Sequence, residues 1–135
     1  YKGEGGPRDD VEARRLFSLA AEQGHAEGQH NLGYMHYEGE GGPRDDVEAR
    51  RLFSLAAEQG LAVAQFRLGM MHYKGDGGPR NQVKAHRLWG LAAAQGHILA
   101  QNKIRETQEA LEQEKKQRRA TLAAKVCFPH NTLSP

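Results

Sequence analysis

Seven histidines and one cysteine are the residues of this 135-residue chain that could bind a metal or pair as nucleophile and base. A zinc site needs three or four His, Cys or carboxylate ligands brought to one point. His36 and His72 stand in phase with one another, yet neither has a cysteine or carboxylate at ligand spacing. His25 and His30 are five residues apart, which suits one helical face poorly. They read as surface histidines of a recurring unit, and no metal is expected. Cys127 and His130 could form a thiol nucleophile and its base, but no third residue nearby in sequence would orient the pair, so an inert thiol is expected. No Gly-rich phosphate loop, nucleophile elbow or zinc-protease helix occurs. The glycine-rich string GEGGP recurs as a turn. The expectation is a noncatalytic chain without a cofactor.

The elements that would position any site are set by repetition. Gly3 to Gly24 reads GEGGPRDDVEARRLFSLAAEQG, Gly39 to Gly60 repeats it without a change, and GDGGPRNQVKAHRLWGLAAAQG begins at Gly75. Pro7, Pro43 and Pro79 keep a fixed spacing, as do Gly24, Gly60 and Gly96, and Tyr1, Tyr37 and Tyr73. Such a period marks a repeat architecture. Each unit reads as two helices. The first follows a Gly-Pro turn, with Asp9 and Asp45 as N-caps and Glu12 and Glu48 at capping-box spacing. Asn81 and Lys84 keep the cap in the third unit and lose the box. Val11, Ala13, Leu16, Phe17, Ala20 and Ala21 follow helical spacing, and Gly24 is placed to end the helix. The second helix is expected from about Ala26 to Tyr37. Gly33 and Gly69 lie inside it and Gly28, Ala64 and Ala100 are small, which predicts close helix packing. Helices this short are marginal alone and become stable by stacking.

These residues resemble the Sel1-like repeat family, relatives of the tetratricopeptide repeat. The pattern is carried by Ala13, Leu16, Phe17, Ala20, Ala21, Gly24, Ala26, Gln29, Leu32, Gly33, Tyr37, Gly39 and Gly41. It returns from Ala49 through Gly77, and from Ala85 as far as Gln101 and Ile104. The resemblance implies an all-α, right-handed solenoid of helix-turn-helix repeats acting as a protein-interaction scaffold. Some secreted relatives carry paired cysteines in each repeat, and the single cysteine here argues against that subgroup. The repeats are expected over residues 1–104, with a partial unit at 1–6 and units at about 7–42, 43–78 and 79–104. Tyr1, in phase with Tyr37, suggests that at least one helix precedes it.

Arg105 stands where Gly33 and Gly69 would be, so stacking is expected to end there. Residues 105–125 then continue as an extended, charged helix. From Ile98 to about Lys125 there is neither proline nor glycine, a span of roughly 40 Å as helix. Glu112 with Lys116 and Glu114 with Arg118 are i,i+4 pairs in the favourable order. Apolar positions are too sparse for a heptad seam. An irregular tail is expected over 126–135.

Binding is therefore expected on two faces. The resemblance implies that the first helices line a concave groove, making Arg14, Arg15, Ser18, Arg50, Arg51, Ser54, His86 and Arg87 candidate protein contacts. On the C-terminal helix the candidates are Ile104, Leu111, Lys115, Lys116, Arg118 and Arg119. A net charge of +2 and one four-cation cluster without an aromatic platform do not call for a specific nucleic acid. No run of about 18 apolar residues would span a membrane. The expected function is a scaffold or linker, as a peripheral subunit of a multiprotein assembly. The alternatives are a freestanding signalling adaptor that captures a peptide in its groove and, from another class, an enzyme or metal protein. The compartment is not readable: cytoplasm, an organelle, or the periphery of a membrane complex all fit a soluble chain of this kind.

Overall fold

A computed structural model describes residues 9–127, which form six α-helices. They are α1 (Asp10–Glu22), α2 (Ala26–Glu38), α3 (Asp46–Glu58), α4 (Ala62–Lys74), α5 (Gln82–Ala94) and α6 (Ile98–Cys127). The expected partial unit at 1–6, His130 and most of the expected tail lie outside the described residues. Val126 and Cys127, assigned to that tail, are instead the last residues of α6. The chain divides into two compact units, residues 1–101 and 102–135.

The first unit is the solenoid, an all-α right-handed stack. Each first helix opens on a side-chain cap: Asp9, Asp45 and Asn81 accept from the backbone N–H of Glu12, Glu48 and Lys84, each at 3.0 Å. The reciprocal arm of the capping box gives way to another interaction. Glu12 and Glu48 turn to Arg15 and Arg51 one turn ahead, because a guanidinium offers a stronger, charge-assisted partner. Gly24, Gly60 and Gly96 leave the first helices with φ of 85° to 88°, as a C′ residue should.

Packing explains the glycines inside the second helices. A Cβ at Gly33 would sit 3.0 Å from the Phe53 ring, and one at Gly69 would sit 2.6 Å from the Trp89 ring. The large aromatic of each incoming first helix thus seats against bare backbone of the helix before it. Phe53 and Trp89 are 1% and 0% exposed. Within a hairpin, Gly28 admits Ala20 in the same manner, and Ala64 and Ala100 are buried at the equivalent positions. At Arg105 no ring of the described residues seats: the side chain is exposed and donates to the Asn102 carboxamide oxygen at 2.9 Å.

Identical sequence does not give identical burial. Leu16 is 51% exposed and Leu52 is 2% exposed. α2 packs on α3, whereas no described helix precedes α1. A glutamine ladder also joins the repeats: Gln59 Nε2 donates to Gln29 Oε1 at 2.8 Å, and Gln95 Nε2 to Gln65 Oε1 at 3.0 Å. Both acceptors are buried, so each pair satisfies polar atoms that water cannot reach.

Residues 102–127, within the second unit, continue α6 as a helix with a mostly exposed surface. Glu114 pairs with Arg118 as expected. Glu112 pairs with Lys115 at 3.5 Å, one residue short of the expected Lys116, since i,i+3 neighbours are as close as i,i+4 on a helix.

Candidate functional site

The first helices α1 and α3, with α2 as floor, enclose a recess of about 340 Å³. Ser18 and Glu22 of α1 face Glu48, Arg51, Leu52 and Leu55 of α3, and Leu32 and His36 of α2 close the bottom. An apolar floor with a charged rim can seat an extended segment whose side chains alternate in polarity. At the rim, Arg51 donates to both carboxylate oxygens of Glu48, at 2.8 and 2.7 Å, and that interaction holds the Glu48 carboxyl below its ordinary pKa. Arg15 and Glu12 form the same pair on α1.

Arg14 and Arg50 are not available at this rim. Arg14 donates through Nε to the Glu40 carbonyl at 2.9 Å and through Nη2 to the Met35 and Pro43 carbonyls, each at 3.2 Å. Arg50 does the same one repeat later, reaching the carbonyls of Asp76, Met71 and Pro79 at 2.9 to 3.3 Å. Each arginine clasps the glycine-rich turn that enters the next repeat. Consecutive helical residues project about 100° apart, so Arg14 and Arg15 cannot serve one face. Of the two arginines expected in the groove, Arg14 is instead held by backbone carbonyls.

The clasp explains His86. It replaces the Arg14 and Arg50 position in the last repeat, after which no GEGGP turn follows to be held. Its Nδ1 donates to the Gln82 carbonyl at 2.9 Å, and its ring packs against Trp89 and Tyr73. Position 86 therefore belongs to the internal packing. Arg87 is exposed, and Ser18 and Ser54 are half-buried. On α6, Ile104 is half-buried, while Leu111, Lys115, Lys116, Arg118 and Arg119 are exposed.

His36 and His72 sit beside the clasps. His36 Nδ1 lies 3.4 Å from Arg14 Nη1, and His72 Nδ1 lies 3.1 Å from Arg50 Nη1. A guanidinium can only donate, so each Nδ1 is the acceptor and each ring is neutral with its proton on Nε2. Burial first, then the neighbouring cations, drives His72 from 6.5 down to about 4, and His36 moves in the same direction. Among the described residues no three His, Cys, Asp or Glu side chains gather where a metal could sit. Nor is any described helix long and apolar enough to cross a membrane.

The recess residues outside the expected set include His36, Glu48 and Leu55. Glu48 carries a usable signal: it lies three residues before Arg51 and so shares its face. His36 and Leu55 carry no such signal, because their place depends on how α2 and α3 cross.

The sequence profile of the Sel1 repeat matches residues 1–25, 26–61 and 62–97. No curated protein matches the chain. Among solved structures, c5321, a protective antigen of uropathogenic Escherichia coli displaying an SLR fold, is 38% identical with a TM-score of 0.72. It aligns over 76% of this chain and 22% of its own. A Sel1 repeat protein from Oxalobacter formigenes is 33% identical with a TM-score of 0.69, over 70% of this chain and 28% of its own. The chain thus spans about a quarter of the length of these two proteins. Cysteine rich protein B of Helicobacter pylori shares the fold, at 24% identity and a TM-score of 0.63, over 66% of this chain and 67% of its own.

Proposed function

Because the chain belongs to the Sel1 repeat family, we propose that it is a noncatalytic protein-protein interaction scaffold or linker, working as a peripheral subunit of a larger multiprotein assembly. Sel1 repeat proteins in general act as protein-protein interaction modules, and the family is generally not enzymatic. The observation that carries the reading for this chain is the recess between α1 and α3, with Leu32 and Leu52 below and Glu48 and Arg51 at its edge. Ser18 and Arg51 line it, and Arg15, Ser54 and Arg87, at repeat-equivalent positions on the first helices, are the further contact residues of this proposal. The second surface is the exposed part of α6, with Leu111 and the cations Lys115, Lys116, Arg118 and Arg119. Two separate surfaces suit a linker better than a receptor for one peptide.

Native mass of the tagged chain in extracts of its source, followed by mass spectrometry of what co-purifies, tests the proposal. A subunit migrates with stoichiometric partners that survive washing. A chain that migrates alone and captures a peptide only on addition is a freestanding adaptor, and the subunit reading falls. Charge reversal at Arg51 together with Arg87 is expected to release at least one partner. Unchanged retention would remove the groove from the interaction.

A further inference from the structure

The three first helices differ in charge at equivalent positions. In the first repeat Asp9, Asp10, Glu12 and Glu22 outweigh Arg14 and Arg15, and the second repeat is identical. In the third, Asn81, Gln82, Lys84 and Ala94 stand at the four acidic positions, while Arg87 is kept. Each of the first two segments is therefore net −2, and the third is net +2 with His86 neutral. The charge at the cap position is dispensable for the helix start, since Asn81 caps α5 as Asp45 caps α3.

The decisive position is 84. In α1 and α3 the arginine at the groove rim is neutralised from within, Arg15 by Glu12 at 2.6 Å and Arg51 by Glu48 at 2.7 Å. In α5 the residue three before Arg87 is Lys84, so the internal carboxylate is replaced by a second cation. Lys84 lies close enough to His72 on the groove floor to contribute to its lowered pKa. Leu91 follows Arg87 by four residues and is 51% exposed on the same face. Glu58 occupies in α3 the position of Glu22, which lines the α1–α3 recess, and Arg87 forms no ion pair among the described residues.

We propose that the face of α3 and α5 equivalent, one repeat on, to the α1–α3 recess docks an acidic segment of a partner protein, with a carboxylate of that segment taking on Arg87 the place that Glu48 takes on Arg51. Lys84 adds a second positive charge, and Leu91 takes an apolar side chain adjoining the carboxylate. The Glu48–Arg51 pair is the internal precedent for the geometry: two parallel N–H···O bonds from one guanidinium. This rests on the scaffold reading above and assigns the chemistry of one of its partners.

The test uses fluorescence anisotropy with the full chain and three labelled probes: an acidic peptide Glu-Glu-Leu-Glu-Glu, its uncharged counterpart Gln-Gln-Leu-Gln-Gln, and a single-stranded oligonucleotide of equal charge. The acidic peptide is expected to bind at least about tenfold more tightly than the uncharged one. Lys84→Glu should abolish that preference by rebuilding the internal pair seen in α3, a change the fold already accommodates twice. Arg87→Gln should do the same without adding a carboxylate. Equal binding of the two peptides, tighter binding of the oligonucleotide, or a preference unmoved by Lys84→Glu overturns the proposal, as does self-association of the chain through this face. Retention of every co-purifying protein by the Lys84→Glu chain also overturns it, while leaving the scaffold reading intact.

Discussion

Acidification should weaken this fold through His72 in particular. The ring is 8% exposed, and its Nδ1 accepts from Arg50 at 3.1 Å. Burial, then the charges of Arg50 and Lys84, hold its pKa at about 4 against 6.5 for the free side chain. The unfolded chain therefore takes up the proton first. Stability from this group is complete above the unfolded value and is lost as pH falls toward the folded one. Linkage puts the loss at roughly 2 kcal/mol between about pH 7 and about pH 5, and roughly 3 kcal/mol when both states are protonated. Urea unfolding followed by far-ultraviolet circular dichroism reads this directly, with His72→Asn as the comparison. The asparagine can offer Arg50 an acceptor oxygen and does not titrate. His30, His36 and His97 are shifted the same way and contribute equally to both proteins, so the difference in slope isolates His72. The wild type should lose about 2 kcal/mol more than the variant over that interval. Parallel pH profiles would refute the reasoning.

Two glycines in helix interiors should respond with opposite signs. Gly69→Ala is expected to destabilise by about 1–3 kcal/mol, since its Cβ would lie 2.6 Å from the rigid Trp89 ring. Gly90→Ala meets nothing within 4 Å and should stabilise by about 1 kcal/mol through helix propensity alone; thermal melts compare the two. Arg50→Met should cost about 1–3 kcal/mol by leaving the carbonyls of Met71, Asp76 and Pro79 without their donor. Hydrogen exchange should then quicken at the turn around Asp76 to Pro79, and exchange that rises evenly over the whole chain would remove the clasp from the explanation.

The sequence by itself determined the helix pairs and their stacking, because both rest on local chemistry that repeats. Asp9, Asp45 and Asn81 signal a helix start wherever they occur in this context, and Gly24, Gly60 and Gly96 signal its end. Gly33 and Gly69 announced a close approach, although not that the visitor is an aromatic ring. At the equivalent position Arg105 is exposed and bonds to Asn102 within its own helix. What remained hidden was which of two adjacent side chains faces inward. Arg14 and Arg15 look alike in sequence, but one is consumed by carbonyls 21 to 29 residues away and the other by a glutamate one turn back. Leu16 and Leu52 occupy identical segments and differ in exposure because, among the described residues, only Leu52 has a preceding repeat packed on it. Tertiary structure decided these cases for one physical reason: burial and hydrogen-bond supply at a position come from the neighbouring repeat, and a string of residues does not carry its neighbour.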